Sequence, residues 1–262
     1  MTSTSDPLVV SRESPEARAA TLTFGRPPLN ILDLDLLAAL DAGIVELARQ
    51  GDLQLVFLRG AGEKAFSAGV SVHDHTPDKV DRMLLSFHGA IAKLRDLEAM
   101  TVALVDGHCL GGGMELAMTC DLVLATDRSR FGQPEIALGC YPPVAAALYP
   151  QRIGAGRTLE LLLTGRTFDC AEAERLGFVH ERLAGTAELE ARAQELGLAI
   201  LRQSAAVTRL TKRAVRAGES RAYPAALAEA ERLYLRELTA TADMPEGIQA
   251  FIEKRPPVWR HR

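Results

Sequence analysis

Short apolar segments that alternate with helical patterns constrain the fold of this chain more than any other feature. Residues 54–59 (QLVFLR) form an apolar run of strand length, and residues 78–98 carry apolar side chains at helical spacing. The order repeats at residues 101–105, which predict a strand, and at residues 114–119, which predict a short helix. A further helical pattern begins after Asp33, a residue type that caps helices. Strands alternating with helices indicate an α/β fold.

The C-terminal part of the sequence has a different character. After about residue 157 the strand signals fade, and from residue 188 onwards the chain predicts helices rich in Ala, Leu, Glu and Arg. We therefore divide the chain into an α/β core, residues 1–195, and a helical layer, residues 196–262.

Composition narrows the classes of partner. The chain has 262 residues, of which 47% are hydrophobic, enough for a sizeable core. Its net charge of -4 comes from interspersed acids and bases without a long basic run, so nucleic acid is not an expected ligand. We expect a cytoplasmic protein without a membrane partner, because the sequence shows neither a secretory leader nor a long uncharged apolar segment. The four cysteines form no C-x-x-C pair, which predicts free thiols and no metal.

Three consecutive glycines stand between a predicted strand and a predicted helix, in the sequence GHCLGGGME at residues 107–115. Glycine lets a bound group approach the backbone closely, and amides at the start of a helix point toward developing negative charge. A tight turn packed for space would explain the same glycines. The segment does not match the dinucleotide-binding pattern G-x-G-x-x-G, because Leu116 occupies the last glycine position.

Two glutamates on neighbouring turns are candidate acid-base groups. Glu135 follows a proline in the sequence FGQPE at residues 131–135, and Glu115 ends the glycine-rich segment. A lone glutamate in a loop is usually a solvated charge. Together the two carboxylates could converge on one water, one acting as a base while the other moves a proton. Sequence spacing alone does not establish that they meet.

A serine hydrolase and a metal site are the competing interpretations. Ser67 lies in a sequence one residue away from the nucleophile elbow G-x-S-x-G, but a loop separates it from the preceding strand. His73 and His75 offer no complete ligand set, so a solvated loop is expected there. His88 is expected to be packed or partly exposed on its helix. None of these residues joins the catalytic set.

Four segments, taken in order, resemble the enoyl-CoA hydratase/isomerase (crotonase) superfamily. They are KAFSAGVS at residues 64–71, GGGMELA at 111–117, FGQPEI at 131–136 and EGIQAFIEKR at 246–255. Each motif alone is weak, but four in this order are specific, and they cover nearly the whole chain. The resemblance implies a spiral of ββα turns with a C-terminal helical trimerisation region, and a homotrimer or homohexamer.

The resemblance also implies catalytic roles. The backbone N–H groups of Val70 and Gly112 would form an oxyanion hole for the thioester oxygen as enolate charge develops. Glu115 would activate water and Glu135 would move the proton at carbon, although a coupled pair can share these tasks. Hydratases of the family carry both acids and isomerases commonly keep one, so the pair favours addition of water.

Three further residues match positions that bind CoA in the family. They are Ala68, Phe251 and Lys254. Phe251 and Lys254 would reach the adenine and phosphate end from a neighbouring subunit, where a lysine suits a phosphate as a point charge. A core contact on an amphipathic helix explains Phe251 equally well. CoA is part of the substrate, so no separate cofactor is expected.

The sequence departs from the family pattern in ways that narrow the expected substrate. Ser71 stands where many hydratases have aspartate, and His73 where a lysine is common. Residues 139–147 (GCYPPVAAA) replace a P-G-A-G-G type of turn, and Pro143 occupies the position of a glycine whose N–H helps to hold the catalytic water. Proline has no N–H. Together with residues 66–77 and the pair Phe87-His88, the segment 139–147 looks more like the cyclohexa-1,5-diene-1-carbonyl-CoA hydratases of anaerobic aromatic degradation.

The leading interpretation is a CoA-thioester hydratase that acts on a conjugated enoyl-CoA or a cyclic dienoyl-CoA. A double-bond isomerase of the same fold is the alternative. A non-catalytic assembly or RNA-binding relative is a different class, but such a protein would have no reason to keep both Glu115 and Glu135.

Overall fold

A computed structural model describes residues 8–11, 17–203, 205–219, 223–236, 238–240 and 242–258 of the chain. These residues form a mixed α/β fold. The strands are β1 (Leu8–Ser11), β2 (Ala19–Phe24), β3 (Leu55–Gly60), β4 (Ala65–Ser67), β5 (Met100–Val105), β6 (His108–Leu110), β7 (Leu122–Thr126), β8 (Arg130–Gly132), β9 (Thr167–Asp169) and β10 (Glu181–Leu183). The helices are α1 (Leu34–Arg49), α2 (Val80–Asp96), α3 (Gly112–Thr119), α4 (Pro143–Ile153), α5 (Ala155–Thr164), α6 (Cys170–Leu176), α7 (Thr186–Leu201), α8 (Ala205–Glu219), α9 (Tyr223–Arg236) and α10 (Asp243–Ile252).

The larger sheet has six strands in the order β1-β2-β3-β5-β7-β10. All neighbouring strands are parallel except the β1–β2 pair at one edge. The central strands are apolar on both faces because α1 and α2 pack on one side and α7 packs on the other. Burial on both faces is typical of parallel sheets and explains the continuous apolar runs in the sequence.

The smaller sheet, in the order β4-β6-β8-β9, brings the motif-bearing loops together. Three times in succession the chain adds a strand to the large sheet and the next strand to the small one. Cys109 in β6 pairs with Ser67 in β4 on one side and with Phe131 in β8 on the other. The segments that follow these three strands therefore lie side by side at one end of the sheet.

Most of the predicted elements are confirmed. The α/β class is correct, and β3, β5, α1 and α2 lie where the apolar patterns predict them. Asp33 caps α1 by accepting a hydrogen bond from the Leu36 amide at 2.8 Å. The expectation that strands end after about residue 157 is wrong, because β9 and β10 follow. Each has only three residues, too few to show an alternating pattern.

The division that we predict at residue 195 falls inside α7, so this one helix lies partly in the predicted core and partly in the predicted helical layer. Leu189 and Ala193 of α7 pack under the large sheet against Leu55 and Val102. Further along, α9 packs on α4, and α10 packs on the 3-10 turn Pro134–Leu138. The role of this layer in trimerisation stays a prediction.

Two expectations from composition are answered by the described part of the chain. All four cysteines are buried and free, as predicted. None of the described helices combines the length and apolar character needed to cross a membrane.

Candidate active site

The loop after β4 and the beginning of α3 approach each other so closely that only glycine fits. Gly69 and Gly111 have φ values of +102° and +52°, which side-chain-bearing residues rarely adopt. A Cβ atom on Gly112 would lie 2.6 Å from Val70 Cγ2 and 3.3 Å from the Val70 amide nitrogen. The glycine cluster is therefore a packed turn. It also lets the loop after β4 and the beginning of α3 lie beside the same cavity.

Two backbone amides face this cavity without an acceptor. Gly112 is the first residue of α3, so its N–H has no partner inside the helix. Neither this amide nor that of Val70 donates a hydrogen bond to any other residue that the structure describes. Both residues line the same cavity. The pair assigned to an oxyanion hole by resemblance thus lies together, with the positive end of the α3 dipole behind it.

Glu115 projects from the first turn of α3 and is only 3% exposed. Its Oε1 accepts a hydrogen bond from the Ala145 amide at 2.8 Å, and the Val144 amide also donates to the carboxylate. These are the first N–H groups of α4, because Pro142 caps that helix and Pro143 begins it. Burial raises the pKa of Glu115 by more than the two hydrogen bonds lower it.

Glu135 lies on the 3-10 turn Pro134–Leu138 and lines the same cavity as the start of α3. A Cβ atom on Gly111 would lie 2.5 Å from Glu135 Oε1, so glycine is needed there to leave room for the carboxylate. Burial is the main cause that raises the pKa of Glu135, and the neighbouring charge of Glu115 adds to it. The structure thus places the two glutamates in one cavity, which the spacing in the sequence alone could not establish.

A buried amide holds Glu135 from behind. The Gln133 side-chain nitrogen donates to Glu135 Oε2 at 3.1 Å and Oε1 at 3.2 Å, while its oxygen accepts from the Tyr149 hydroxyl at 2.6 Å. The opposite orientation would turn the amide oxygen toward the carboxylate. Gln133 is 1% exposed and Tyr149 is fully buried, so this chain of hydrogen bonds fixes the carboxyl group from the protein interior.

The cavity has a volume of about 230 Å³ and a mostly apolar wall. Ala68 and Phe251, two of the three residues assigned to CoA binding, line it, although the resemblance implied that Phe251 would reach CoA from a neighbouring subunit. Phe251 is 55% exposed, so it is not a core contact within the described chain. Lys254 is exposed but is not part of the cavity lining. The apolar and aromatic lining includes Val72, Met83, Leu84, Phe87, Leu138, Tyr141, Pro142 and Pro143.

The competing interpretations lose support. Ser67 is buried and donates to the Asn30 carbonyl at 2.8 Å, so its hydroxyl is not presented to the cavity. No cluster of potential metal ligands occurs in the described ranges. His75 is bonded through Nδ1 to the Ser71 carbonyl at 2.9 Å and lines the cavity from one side.

Sequence reasoning missed three residues near the glutamates, and it left His88, which lines the cavity, outside the site. The three are Gln133, Tyr149 and Tyr234. Gln133 stands two residues before Glu135, a spacing that could have suggested support for its carboxyl group. The others come from helices far apart in the sequence, and nothing in their local pattern distinguishes them from core residues.

Comparison with known proteins agrees with this geometry. A family sequence model described as enoyl-CoA hydratase/isomerase matches residues 15–262. The chain is 37% identical to a cyclohexa-1,5-dienecarbonyl-CoA hydratase from Thauera aromatica, with 100% of both chains covered. It is 36% identical to a probable enoyl-CoA hydratase, EchA8, from Mycobacterium tuberculosis, with 99% and 100% of the two chains covered. The crystal structure of an enoyl-CoA hydratase from Mycobacterium avium subsp. paratuberculosis superposes with a TM-score of 0.84 at 25% identity, covering 97% and 98% of the two chains.

Proposed function

The chain belongs to the enoyl-CoA hydratase/isomerase family, and from this premise we propose that it adds water to a conjugated double bond in an enoyl-CoA or cyclic dienoyl-CoA thioester. The observation that carries the proposal is the position of Glu115 and Glu135 in one cavity beside the amides of Val70 and Gly112. Two convergent acids and two free amides are the groups expected for adding water to a double bond that is conjugated with a thioester.

The two amides bind the thioester oxygen. As water attacks, negative charge moves onto that oxygen, and the N–H groups of Val70 and Gly112 stabilise it. Each such donor is worth about 3 to 4 kcal/mol in comparable sites. Because only backbone atoms take part, a valine at position 70 serves as well as a smaller residue.

The two glutamates carry the protons. Glu115 accepts a proton from the attacking water, whose oxygen forms the new bond to carbon, and Glu135 donates a proton to the carbon that bears the enolate charge. Burial raises the pKa of both groups, and the charge of Glu115 adds to that of Glu135, so the pair is suited to holding and releasing a proton near neutral pH. Gln133 and Tyr149 keep Glu135 aimed at the cavity.

A cyclic dienoyl-CoA is the substrate that we propose in particular. Tyr141, Pro142 and Pro143 make a bulky wall of the cavity, in place of the glycine-rich turn of ordinary relatives. Such a wall suits a compact ring better than an extended chain. The 37% identical relative from Thauera aromatica, which is named for a cyclic dienoyl thioester, supports the same choice.

The isomerase alternative is less well supported. Shifting a double bond requires one carboxyl group to carry a proton between two carbons, which leaves the second glutamate unexplained. The relatives from Thauera and Mycobacterium are both named hydratases.

Coenzyme A enters as part of the substrate, so the reaction as proposed uses no separate cofactor. We propose that Ala68 contacts the pantetheine side of the thioester and that Phe251 and Lys254 serve the adenine and phosphate end. The exposure of Phe251 at the cavity supports this role. The family resemblance further leads us to propose a homotrimer or homohexamer in the cytoplasm.

The experiment that tests the substrate compares two thioesters on one enzyme preparation. We expect kcat/KM for cyclohexa-1,5-diene-1-carbonyl-CoA to exceed that for crotonyl-CoA by tenfold or more, about 1.4 kcal/mol in transition-state stabilisation. A tenfold advantage for crotonyl-CoA would make the enzyme an ordinary enoyl-CoA hydratase with an unusual turn.

A further inference from the structure

Two polar side chains that line the cavity have no role in the reaction as proposed. His88 Nε2 has no hydrogen bond to any other residue in the described ranges, and the Tyr234 hydroxyl has only the weakly bonding Cys140 thiol beside it. His88 is 5% exposed and Tyr234 1%, and both side chains line the cavity that holds the glutamates. A buried polar atom without a strong partner is destabilising, so a bound group that hydrogen-bonded to both side chains would recover that cost.

The hydrogen bond at Nδ1 of His88 determines whether Nε2, on the other side of the ring, is a donor or an acceptor. Its Nδ1 lies 2.9 Å from Glu231 Oε1, and the nitrogen that faces a carboxylate carries the proton. Burial lowers the pKa of His88 more than Glu231 raises it, so the ring is neutral. A neutral ring protonated at Nδ1 leaves Nε2 as a hydrogen-bond acceptor.

Tyr234 supplies a hydrogen-bond donor in the same cavity as this acceptor. It follows Glu231, the partner of His88, by three residues on α9, so the side chains of Glu231 and Tyr234 share one face of that helix, and Tyr234 lines the same cavity as His88. Its ring packs edge-on against Tyr141 at 5.3 Å between centroids. Burial raises the pKa of Tyr234, with the weakly bonding Cys140 thiol beside it, so the hydroxyl stays protonated and can donate.

We propose that His88 and Tyr234 form a subsite that binds a hydroxyl group carried by the acyl moiety away from the reacting carbon. A hydroxyl both donates and accepts, so it satisfies the His88 acceptor and the Tyr234 donor at once. A carbonyl oxygen would leave His88 unpaired, and a methyl group would leave both unpaired. The inference rests on the proposed function for the presence of an acyl group in this cavity.

The test measures binding of saturated thioesters, which cannot be hydrated, and so does not depend on turnover. Dissociation constants are measured by titration calorimetry for cyclohexanecarbonyl-CoA and for its 2-, 3- and 4-hydroxy derivatives. We expect the 3- or the 4-hydroxy thioester to bind the wild-type protein at least tenfold more tightly than the parent. In Tyr234→Phe this advantage should fall below threefold, because the substitution removes the hydroxyl that would donate to the bound group.

A second variant and a control separate the subsite from general effects. His88→Phe should also abolish the advantage, whereas His108→Phe, at an exposed histidine outside the cavity, should retain it. If no derivative binds more tightly than the parent, water is the occupant of the two polar atoms and the proposal is overturned. An advantage limited to the 2-hydroxy derivative also overturns it, because the glutamate pair would explain affinity for that hydroxyl. A retained 3- or 4-hydroxy advantage in an enzyme that hydrates no dienoyl-CoA would refute the proposed function alone.

Discussion

Glu115 and Glu135 occupy positions that carboxylates avoid unless function requires them. Glu115 is buried and Glu135 is half-buried in the same cavity, and the charge of Glu115 makes ionisation of Glu135 more difficult. The Ala145 and Val144 amides offset only part of that cost for Glu115. The two carboxyl groups therefore keep a proton to higher pH than exposed glutamates do. An acid-base pair that works near neutral pH needs this property.

This tendency should be measurable as a pH-dependent cost in stability. In the unfolded chain the pKa of Glu115 is about 4.3, whereas burial raises it in the folded protein. The folded state then binds more protons between these two pKa values, so its stability is fully present below the lower one and declines as pH rises toward the higher one. Glu115→Gln cannot ionise and should escape the decline.

We therefore expect thermal unfolding of Glu115→Gln to shift upward relative to wild type as pH is raised from 4.5 to 8. The exposed Glu63→Gln serves as a control and should show no such trend. A gap between Glu115→Gln and wild type that stays constant or narrows with rising pH would mean that Glu115 is not held against ionisation.

At the residue scale the sequence predicts the reacting groups better than the groups that hold them. Glu115 and Glu135 stand in motifs with recognisable order. Gln133 and Tyr149 are joined by a hydrogen bond behind Glu135, and His88 and Tyr234 come from α2 and α9. Contacts of that kind depend on how helices pack, which no local pattern encodes.

Among the elements, the start of α3 sets the geometry of the two amides. The Gly112 Cα is so close to Val70 that a Cβ atom would strike the Val70 side chain at 2.6 Å, while the Val70 amide would still be 3.3 Å away. Gly112→Ala should therefore push the two segments apart and lower kcat/KM by about 100-fold, the loss typical of one oxyanion-hole donor.

The same geometry predicts a rescue. Removing the clashing methyl group in Val70→Ala/Gly112→Ala should restore kcat/KM by about tenfold or more over Gly112→Ala, an interaction that a double-mutant cycle isolates. Gly156→Ala in α5, where a Cβ atom would meet nothing within 4 Å, is the matched control. Additive effects of the two substitutions would show that spacing of the amides does not limit the rate.

The elements themselves were predictable to different degrees. Long apolar strands and helices such as β3 and α2 follow from their periodicity, and Asp33 marks a helix start by its chemistry. The absence of an N–H on Pro143 was also foreseeable. That α4 would instead offer the Ala145 amide to Glu115 was not, because it depends on where the helix begins in space.

At the scale of the whole molecule, the C-terminal helices close the cavity that the α/β core opens. Met244 and Ile248 of α10 pack in one cluster with Tyr234 of α9 and with Met83 of α2. Gly247 lies directly against the Leu138 carbonyl, where no side chain would fit. The division between the core and the helical layer therefore describes a change in sequence pattern and not a separation in space, because both parts contribute to one wall of the site.

Deleting the residues after Met244 should consequently damage both assembly and binding. We expect monomers or aggregates by analytical ultracentrifugation and weaker CoA affinity by calorimetry, because the deletion removes Ile248 and Phe251. A chain that ends at Val258 is the control and should behave as the full chain does. A well-folded truncated trimer with unchanged CoA affinity would contradict this account of the tail.

Incorporation of oxygen-18 from labelled water into the acyl product is the measurement that tests the central claim most directly. With a cyclic dienoyl-CoA or crotonyl-CoA, the wild-type enzyme should place one labelled oxygen in each product molecule. Glu115→Gln and Glu135→Gln should each slow this incorporation by at least about 100-fold while still binding the thioester, since acid-base steps contribute roughly 10²–10⁴-fold. A product formed without label, or near-wild-type incorporation in either variant, would contradict the assignment of this site as a two-glutamate hydratase.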